Sequence, residues 1–297
     1  MDLERFDRQI KMFGEEGQLL ISTSTIAFIG VGGGNTKIAF DLASMGVGKL
    51  ILIDPDEWEE TNRNRVFLPP EHVGKPKTES VKDLIEEYYS NVQVESHVAK
   101  AQDISDYVYS KADIIIVGPD NLTARIFGNR LALRLKKPAV FPAAGIDVKH
   151  ERLTVMGGSV QVVIPGNSPC YECAAKISSL DIMKENMDPK MKKKLTEKYS
   201  LGALLDTPTA PAIVCLNDVI CGAAVWEILK LITGIARPIH FQVYDALKGK
   251  LVPVKIEKKV SCPACGELAE TSESYESLSK VEDVSISVAD RTSGRSA

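Results

Sequence analysis

A glycine-rich segment near the N-terminus has the residue types and the spacing to bind a phosphate. It follows a short apolar run, precedes apolar residues at helical spacing, and reads Gly30-Val31-Gly32-Gly33-Gly34-Asn35. Glycines in this position let backbone N–H groups and a helix N-terminus approach phosphate oxygens. The segment therefore predicts a nucleotide loop, with Gly30, Gly32 and Gly33 as candidate binding residues. Asn35 stands where a G-x-G-x-x-G pattern has its third glycine, so we expect the helix to pack on the strand differently.

Asp54 is the candidate for binding the ribose of the nucleotide. It follows the apolar run 49–53 and comes roughly 20 residues after the loop. A carboxylate at the end of the second strand accepts hydrogen bonds from ribose hydroxyls in dinucleotide-binding folds. The loop and Asp54 together predict nucleotide binding, but they do not distinguish NAD from ATP.

Charged and amide side chains beyond Asp54 favour ATP. These side chains are Asp56, Asn62, Arg65 and Lys77. A hydride-transfer enzyme needs no cations at its pyrophosphate beyond the loop and the helix dipole. An enzyme that transfers an adenylyl group must neutralise a triphosphate while a carboxylate approaches phosphorus, which requires Arg, Lys and an acid that holds a metal ion.

Two C-x-x-C pairs predict a zinc site. They are formed by Cys170, Cys173, Cys262 and Cys265. Four thiolates without a neighbouring histidine favour Zn²⁺ in a closed, tetrahedral, structural site. A redox role for one pair is less favoured, because neither pair opens a helix after a strand.

The elements that must position these residues alternate between strand and helix in the first half of the chain. Apolar runs predict strands at 25–29, 49–53, 92–97, 113–117 and 139–141, and helical spacing predicts helices at 38–45, 78–89 and 122–136. This alternation indicates an α/β fold with a doubly wound, mostly parallel, Rossmann-like sheet. Beyond Gly145, sequential strands at 153–155 and 160–164, and later ones at 241–244 and 251–256, predict a mixed or antiparallel C-terminal half stapled by zinc.

We expect one domain over residues 1–266, with a nucleotide-binding half at 1–145 and a second half at 146–266. The second half contains a charged crossover segment at 178–209 and an apolar helix from about 213 to 232. Residues 267–297 are rich in Ser and Glu without a sustained period, which predicts a disordered tail.

Composition restricts the class of protein. The 297 residues carry a net charge of −4, and no basic stripe alternates with aromatic residues, so we do not expect nucleic-acid binding. There is neither a signal-peptide pattern nor an apolar run of membrane-spanning length, so we expect a soluble, cytoplasmic protein with no membrane partner. Six cysteines are too sparse for a disulfide framework.

A series of motifs resembles the superfamily of ThiF, MoeB and the ubiquitin-activating enzymes. The resemblance runs from Arg5 to about Lys255. Arg5-Phe6-Asp7-Arg8-Gln9 is similar to the R-[YF]-x-R-Q start of that superfamily, and Gly30-x-Gly32-Gly33 is similar to its G-x-G-G loop. Asp54-x-Asp56 with Asn62-x-x-Arg65 resembles its D-x-D…N-L-x-R-Q segment, and Gly74-x-Pro76-Lys77 resembles its G-x-x-K. Asp120-Asn121 with Arg125 and Asn129 resembles its D-[NS]-x-x-x-R-x-x-x-N. Val66 departs from the usual Gln and Arg63 from the usual apolar residue.

The resemblance implies an ATP-dependent enzyme that adenylates the C-terminal glycine of a ubiquitin-like or sulfur-carrier protein ending in Gly-Gly. It implies ATP and Mg²⁺ as cofactors in addition to Zn²⁺, and a downstream transfer enzyme as a candidate partner. In this family pattern Asp54 holds the ribose, Asn62, Arg65 and Lys77 contact the phosphates, Asp120 binds Mg²⁺ or aligns the reacting groups, and Arg8 reaches the site of a neighbouring subunit. The last role implies a homodimer.

Many members of the superfamily pass the adenylate to a cysteine in or after the crossover segment. The corresponding place, residues 206–209, has no cysteine. Cys215 and Cys221 lie in the apolar helical stretch, where a buried cysteine usually acts as a small hydrophobe, so Cys215 is only a weak candidate nucleophile. The reaction is then expected to stop at the adenylate or to continue on a partner's thiol.

Three alternatives remain open. An NAD-dependent oxidoreductase is consistent with the loop and Asp54 alone. An adenylating enzyme that acts on a tRNA base or a short peptide retains all the motifs and changes only the acceptor. A catalytically inactive nucleotide-binding scaffold is suggested by Asn35 and the missing nucleophile.

Overall fold

A computed structural model describes residues 3–175, 177, 182, 184–188 and 211–266. One eight-stranded sheet runs through these residues in the order β3-β2-β1-β4-β5-β6-β7-β8. Its strands are β1 Thr25–Ile29, β2 Lys49–Ile53, β3 Gln93–His97, β4 Ile114–Val117, β5 Ala139–Lys149, β6 Arg152–Val163, β7 Phe241–Asp245 and β8 Lys250–Pro253. The described helices are α1 Leu3–Thr23, α2 Gly33–Ser44, α3 Lys77–Tyr88, α4 Asp106–Ser110, α5 Leu122–Leu135, α6 Tyr171–Ala174 and α7 Val214–Thr233.

The strands from β3 to β5 are parallel, as the alternation of strand and helix predicts. Side chains of β1 point alternately into two cores. Ile26 and Phe28 lie in the core that α2 and α7 cover, and Ala27 and Ile29 lie in the core that α5 covers. Both faces of the central strands are therefore buried, which explains why these strands are apolar throughout.

The order of the strands reverses between β1 and β4. β2 and β3 extend the sheet on one side of β1, and β4 and β5 extend it on the other. In open α/β sheets, ligands bind at such a switch point, outside the carboxyl ends of the strands. The glycine loop follows β1, and Asp120 follows β4, so both lie at this edge.

The C-terminal half of the sheet is antiparallel from β5 to β8. The prediction of two sequential strands at 153–155 and 160–164 is wrong, because residues 152–163 form the single strand β6. β5 is also longer than the predicted 139–141 and pairs with β6 along its whole length. Gly157 and Gly158 interrupt the apolar pattern of β6 without interrupting its pairing.

The apolar helix predicted near 213–232 is confirmed as α7, which packs against α2 and β5. Most of the predicted crossover segment, and the whole of the predicted tail at 267–297, lie outside the described residues. In the described part of the chain, no helix is long and apolar enough to cross a membrane.

Candidate functional site

The glycine loop connects β1 to the N-terminus of α2. Gly30 has a φ of 84°, and a Cβ at this position would lie 2.9 Å from the backbone nitrogen of Pro119, so only glycine fits without strain. Gly32 is the N-cap of α2, where no side chain caps the helix, and a Cβ on Gly32 would meet nothing within 4 Å. The first N–H groups of α2 are therefore open to an anion on the side that Gly32 faces.

Asp54 is bound to the glycine loop. Its Oδ2 accepts a hydrogen bond from the Val31 N–H at 2.6 Å, and its Oδ1 accepts one from the Asp56 N–H at 2.9 Å. Burial raises the pKa of the Asp54 carboxyl above its ordinary value, and the nearby Lys77 ammonium opposes this shift. The carboxylate thus fixes the conformation of the loop and of the residues that follow β2.

Lys77 lies beside the two aspartates. Its Nζ is 2.8 Å from Asp56 Oδ2 and 3.9 Å from Asp54 Oδ1, and it lies 5.7 Å from the centroid of the buried Trp58 ring. Lys77 begins α3, and its N–H donates to the Asp56 carbonyl. The structure therefore brings together three of the residues that the sequence assigns to the nucleotide site.

Arg65 and Asn62 lie in the segment between β2 and α3. Arg65 is in contact with the glycine loop, because its Cγ lies 3.3 Å from the position of a Cβ on Gly33. The Asn62 side chain accepts a hydrogen bond from the Glu59 N–H and so caps the short 3₁₀ turn Glu60–Asn62. Asn62 thus supports the segment that presents Arg65.

Asp120 is exposed in the loop between β4 and α5. Its neighbour Pro119 packs on Gly30, and the Gly118 N–H donates to the Ile29 carbonyl. The guanidinium of Arg125 donates to the carbonyls of Pro119 and Pro142 at 2.8 and 2.9 Å. These contacts hold Asp120 next to the glycine loop.

Arg8 is not brought to this site within one chain. It is exposed on α1 and has no hydrogen bond or ion pair with any described residue. Its neighbours Arg5 and Gln9 donate to the carbonyls of Ala43, Ser44 and Met45, at the C-terminal end of α2. The glycine loop lies at the other end of α2, a helix of 12 residues and hence about 18 Å long.

Asn35 replaces the third glycine of the usual pattern with a specific contact. Its Nδ2 donates to the carbonyls of Gly30 and Ile29 at 2.7 and 3.3 Å, and the residue is only 2% exposed. A Cβ on Gly118 would overlap the Asn35 amide. The missing glycine of the loop is therefore compensated by Gly118 after β4, which no motif in the sequence indicates.

The two C-x-x-C pairs form one buried cluster. The Sγ atoms of Cys170, Cys173, Cys262 and Cys265 all lie within 4.8 Å of one another. The Sγ separations are 3.6 Å for Cys170–Cys262, 3.4 Å for Cys173–Cys265 and 3.9 Å for Cys170–Cys173. Tetrahedral Zn–S bonds of about 2.3 Å place the sulfurs about 3.8 Å apart, so the cluster fits the predicted zinc site.

A polar network connects this cluster to α5. The Asn129 amide accepts from the Tyr171 N–H and donates to Glu172, whose carboxylate also binds Arg130 at 3.0 and 3.1 Å. The Lys259 N–H donates to the sulfur of Cys173. Asn129 thus positions the first cysteine pair, a role that the sequence alone did not assign.

The two remaining cysteines differ in accessibility. Cys221 is buried in α7 against the Gly34 carbonyl, and burial raises its pKa to about 12, which disfavours a role as a nucleophile. The expectation that Cys215 is buried is wrong. It lies in the first turn of α7 and is exposed, because α7 leaves the core at its N-terminal end.

Comparison with known proteins identifies relatives along almost the whole chain. The heterocyst protein HesA of Trichormus variabilis is 29% identical over 272 residues, which are 89% of this chain and 89% of that protein. The maize adenylyltransferase and sulfurtransferase MOCS3-1 is 28% identical over 273 residues, 89% of this chain but 52% of the relative. The chain therefore spans only about half the length of the maize protein.

Solved structures show the same fold at low sequence identity. The microcin C7 biosynthetic enzyme MccB in complex with N-formylated MccA has a TM-score of 0.71 at 19% identity and is matched over 89% of this chain and 76% of its own. The family model for the ThiF family matches residues 6–264. These residues include the glycine loop, Asp54, Lys77, Asp120 and three of the four cluster cysteines, Cys170, Cys173 and Cys262. The chain belongs to the ThiF family.

Proposed function

We propose that this protein uses ATP to adenylate the C-terminal glycine of a small ubiquitin-like or sulfur-carrier protein that ends in Gly-Gly. A carboxylate oxygen of the carrier attacks the α-phosphorus, the bond from that phosphorus to the bridging oxygen breaks, and pyrophosphate leaves. A thiol that the carrier's next partner supplies then attacks the acyl carbon of the adenylate: the C–S bond forms, the thiol proton passes to solvent, the acyl C–O bond breaks and AMP leaves. The name of the maize relative, an adenylyltransferase and sulfurtransferase, supports this class of reaction.

The observation that carries the proposal is the cluster of Lys77, Asp54 and Asp56 beside the glycine loop. An open helix N-terminus and one ammonium group converge on the same edge of the sheet. Hydride transfer needs no such cation, whereas departure of pyrophosphate places additional negative charge on oxygens that a lysine stabilises. Lys77 pairs with Asp56 here, and a bound triphosphate would compete for the same ammonium group.

Asp120 is proposed to hold Mg²⁺. It is exposed at the switch point next to the loop, and carboxylate oxygens are the ligands that Mg²⁺ prefers. The ion would offset the charge of the triphosphate when bound. Arg8 is proposed to complete the site of a second copy of the chain in a homodimer, because it lies at the opposite end of α2 from its own loop.

Isotope exchange between ATP and radiolabelled pyrophosphate tests the proposal. We expect exchange that requires both Mg²⁺ and a carrier ending in Gly-Gly, and the same carrier without its two terminal glycines is the matched control. If a short peptide or a tRNA supports exchange and no carrier does, the protein is an adenylating enzyme whose acceptor differs from the one proposed. No exchange with any acceptor, together with tight binding of NADH, would favour the oxidoreductase instead.

A further inference from the structure

We propose that Asn217, in the first turn of α7, donates a hydrogen bond from Nδ2 to a phosphate oxygen of the bound nucleotide. The proposal rests on the proposed function, because it concerns the same nucleotide site. It adds a residue that follows the crossover segment, far along the chain from the glycine loop.

The position of the amide is the first observation. Asn217 Nδ2 lies 3.1 Å from the place that a Cβ on Gly33 would take, on the same side of that glycine as Arg65 Cγ at 3.3 Å. Gly33 is the first residue of α2, so its N–H is one of the free donors that bind a phosphate. Asn217 and Arg65 together thus form a wall beside the open end of α2.

The state of the amide is the second observation. Asn217 is half-buried, and its side chain has no hydrogen-bond partner among the described residues. Because this amide has no hydrogen bond to break within the described residues, a new hydrogen bond to an incoming acceptor gives a larger gain in binding free energy than it would for an amide already paired within the protein. Neutral donors of this kind add specificity beside a cation such as Arg65 without increasing the net charge of the site.

The orientation of α7 is the third observation. Ile213, the N-cap of α7, provides no side-chain hydrogen bond to the helix, and the Asn64 side chain donates to the Ala212 carbonyl at 3.4 Å. The positive end of the dipole of a 20-residue helix is therefore held next to the segment that presents Arg65. The N-termini of α2 and α7 both contribute to the electrostatic attraction of a phosphate.

The test is calorimetric binding of MgATP and of adenosine to the full-length chain and to Asn217→Asp, Asn217→Ala and Asn167→Asp. Asn167 is an exposed asparagine in the turn after β6, so it controls for the added charge. We expect Asn217→Asp to weaken ATP binding about tenfold or more, and Asn217→Ala to weaken it about threefold or more. Adenosine has no phosphate, so its affinity should change by less than about twofold in both variants.

Two outcomes would overturn the inference. In the first, Asn217→Asp binds ATP as tightly as Asn167→Asp does. In the second, ATP and adenosine weaken equally, which would show that Asn217 only supports the local fold. Failure of the unmodified chain to bind ATP at all would instead refute the proposed function, so the two failures are distinguishable.

Discussion

At the scale of single residues, Lys77 has the clearest expected effect on the reaction. We expect Lys77→Ala to lower the rate of pyrophosphate exchange about a hundredfold, because no other ammonium group is as close to Asp54 among the described residues. Lys77→Arg should retain part of the rate, since the charge remains. Lys75→Ala removes an exposed lysine two residues earlier and should leave exchange unchanged. Equal exchange rates for Lys77→Ala and Lys75→Ala would show that Lys77 does not contribute to the reaction.

Asn35 and Gly118 give a second prediction at this scale, for stability. We expect Gly118→Ala to destabilise the fold by about 1–3 kcal/mol, because the new methyl group displaces the Asn35 amide from the Gly30 carbonyl. In an Asn35→Gly background the methyl group meets free space, so the same substitution should cost much less. Urea denaturation of the four proteins of this double-mutant cycle measures the coupling. Additive costs would show that the two positions do not interact.

The sequence predicts part of the nucleotide site because spacing along the chain determines that part. Gly30 follows β1, Asp54 follows β2, and Lys77 begins α3, the next helix along the chain, so two consecutive βαβ units bring them together. Asn217 and Gly118 could not be predicted in this way. Both meet the loop through tertiary packing of α7 and β4, and neither residue type is distinctive at its position in the sequence.

At the scale of elements, the cysteine cluster joins α6 and its N-cap, Cys170, to residues 262–265. We expect the purified chain to contain about one zinc ion, and Cys262→Ser to lose it and to lower the melting temperature by about 5 °C or more. Cys215→Ser changes an exposed cysteine outside the cluster and should alter neither quantity. Full stability of Cys262→Ser, or of the chain after chelation, would contradict a structural role for the metal.

Glu227 joins α7 to the segment that enters β7. It is fully buried, pairs with Lys230 at 2.8 Å, and accepts hydrogen bonds from the Gln242 side chain and the Ile239 N–H. Glu227→Ala leaves the Lys230 ammonium buried and unpaired, so we expect a loss of about 3–5 kcal/mol in the free energy of unfolding. Urea denaturation followed by circular dichroism measures it.

The control for Glu227 is an exposed ion pair with the same spacing. Asp245 and Lys248 are also three residues apart and lie at the surface. Asp245→Ala should therefore change the unfolding midpoint only slightly, because solvent screens exposed pairs. A similar midpoint for Glu227→Ala and Asp245→Ala would show that the buried network does not stabilise α7.

The limits of the helices agree better with the sequence predictions than the limits of the strands do. Helices α3, α5 and α7 lie within one or two residues of their predicted limits, since helical spacing and end residues define them. The strands β5 and β6 were predicted too short because Gly145, Gly157 and Gly158 resemble turn signals. In the structure Gly145 pairs with Gly157 in the long hairpin of β5 and β6. A Cβ on Gly157 or Gly158 would overlap a backbone carbonyl of a neighbouring strand, so glycine permits the close approach of the strands.

At the scale of the whole molecule, the separation of Arg8 from the glycine loop is the strongest indication of a second copy. Arg5 and Gln9 bind the carbonyls at the C-terminal end of α2, so the first turns of α1 are fixed at that end. Arg8 would need to cross the length of α2 to reach its own site. No pattern in a single sequence reveals this distance, because it depends on where α1 packs.

The final prediction distinguishes action of Arg8 within one chain from action across a homodimer. Arg8→Ala and Asp120→Ala should each abolish most pyrophosphate exchange when expressed alone. When the two variants are co-expressed and pair at random, half of the dimers are mixed, and each mixed dimer has one site with Arg8 and Asp120 both intact. Exchange should then recover to about a quarter of the unmodified rate. If Arg8 acted within its own chain, neither variant would contribute an intact site, and the co-expressed mixture would stay inactive.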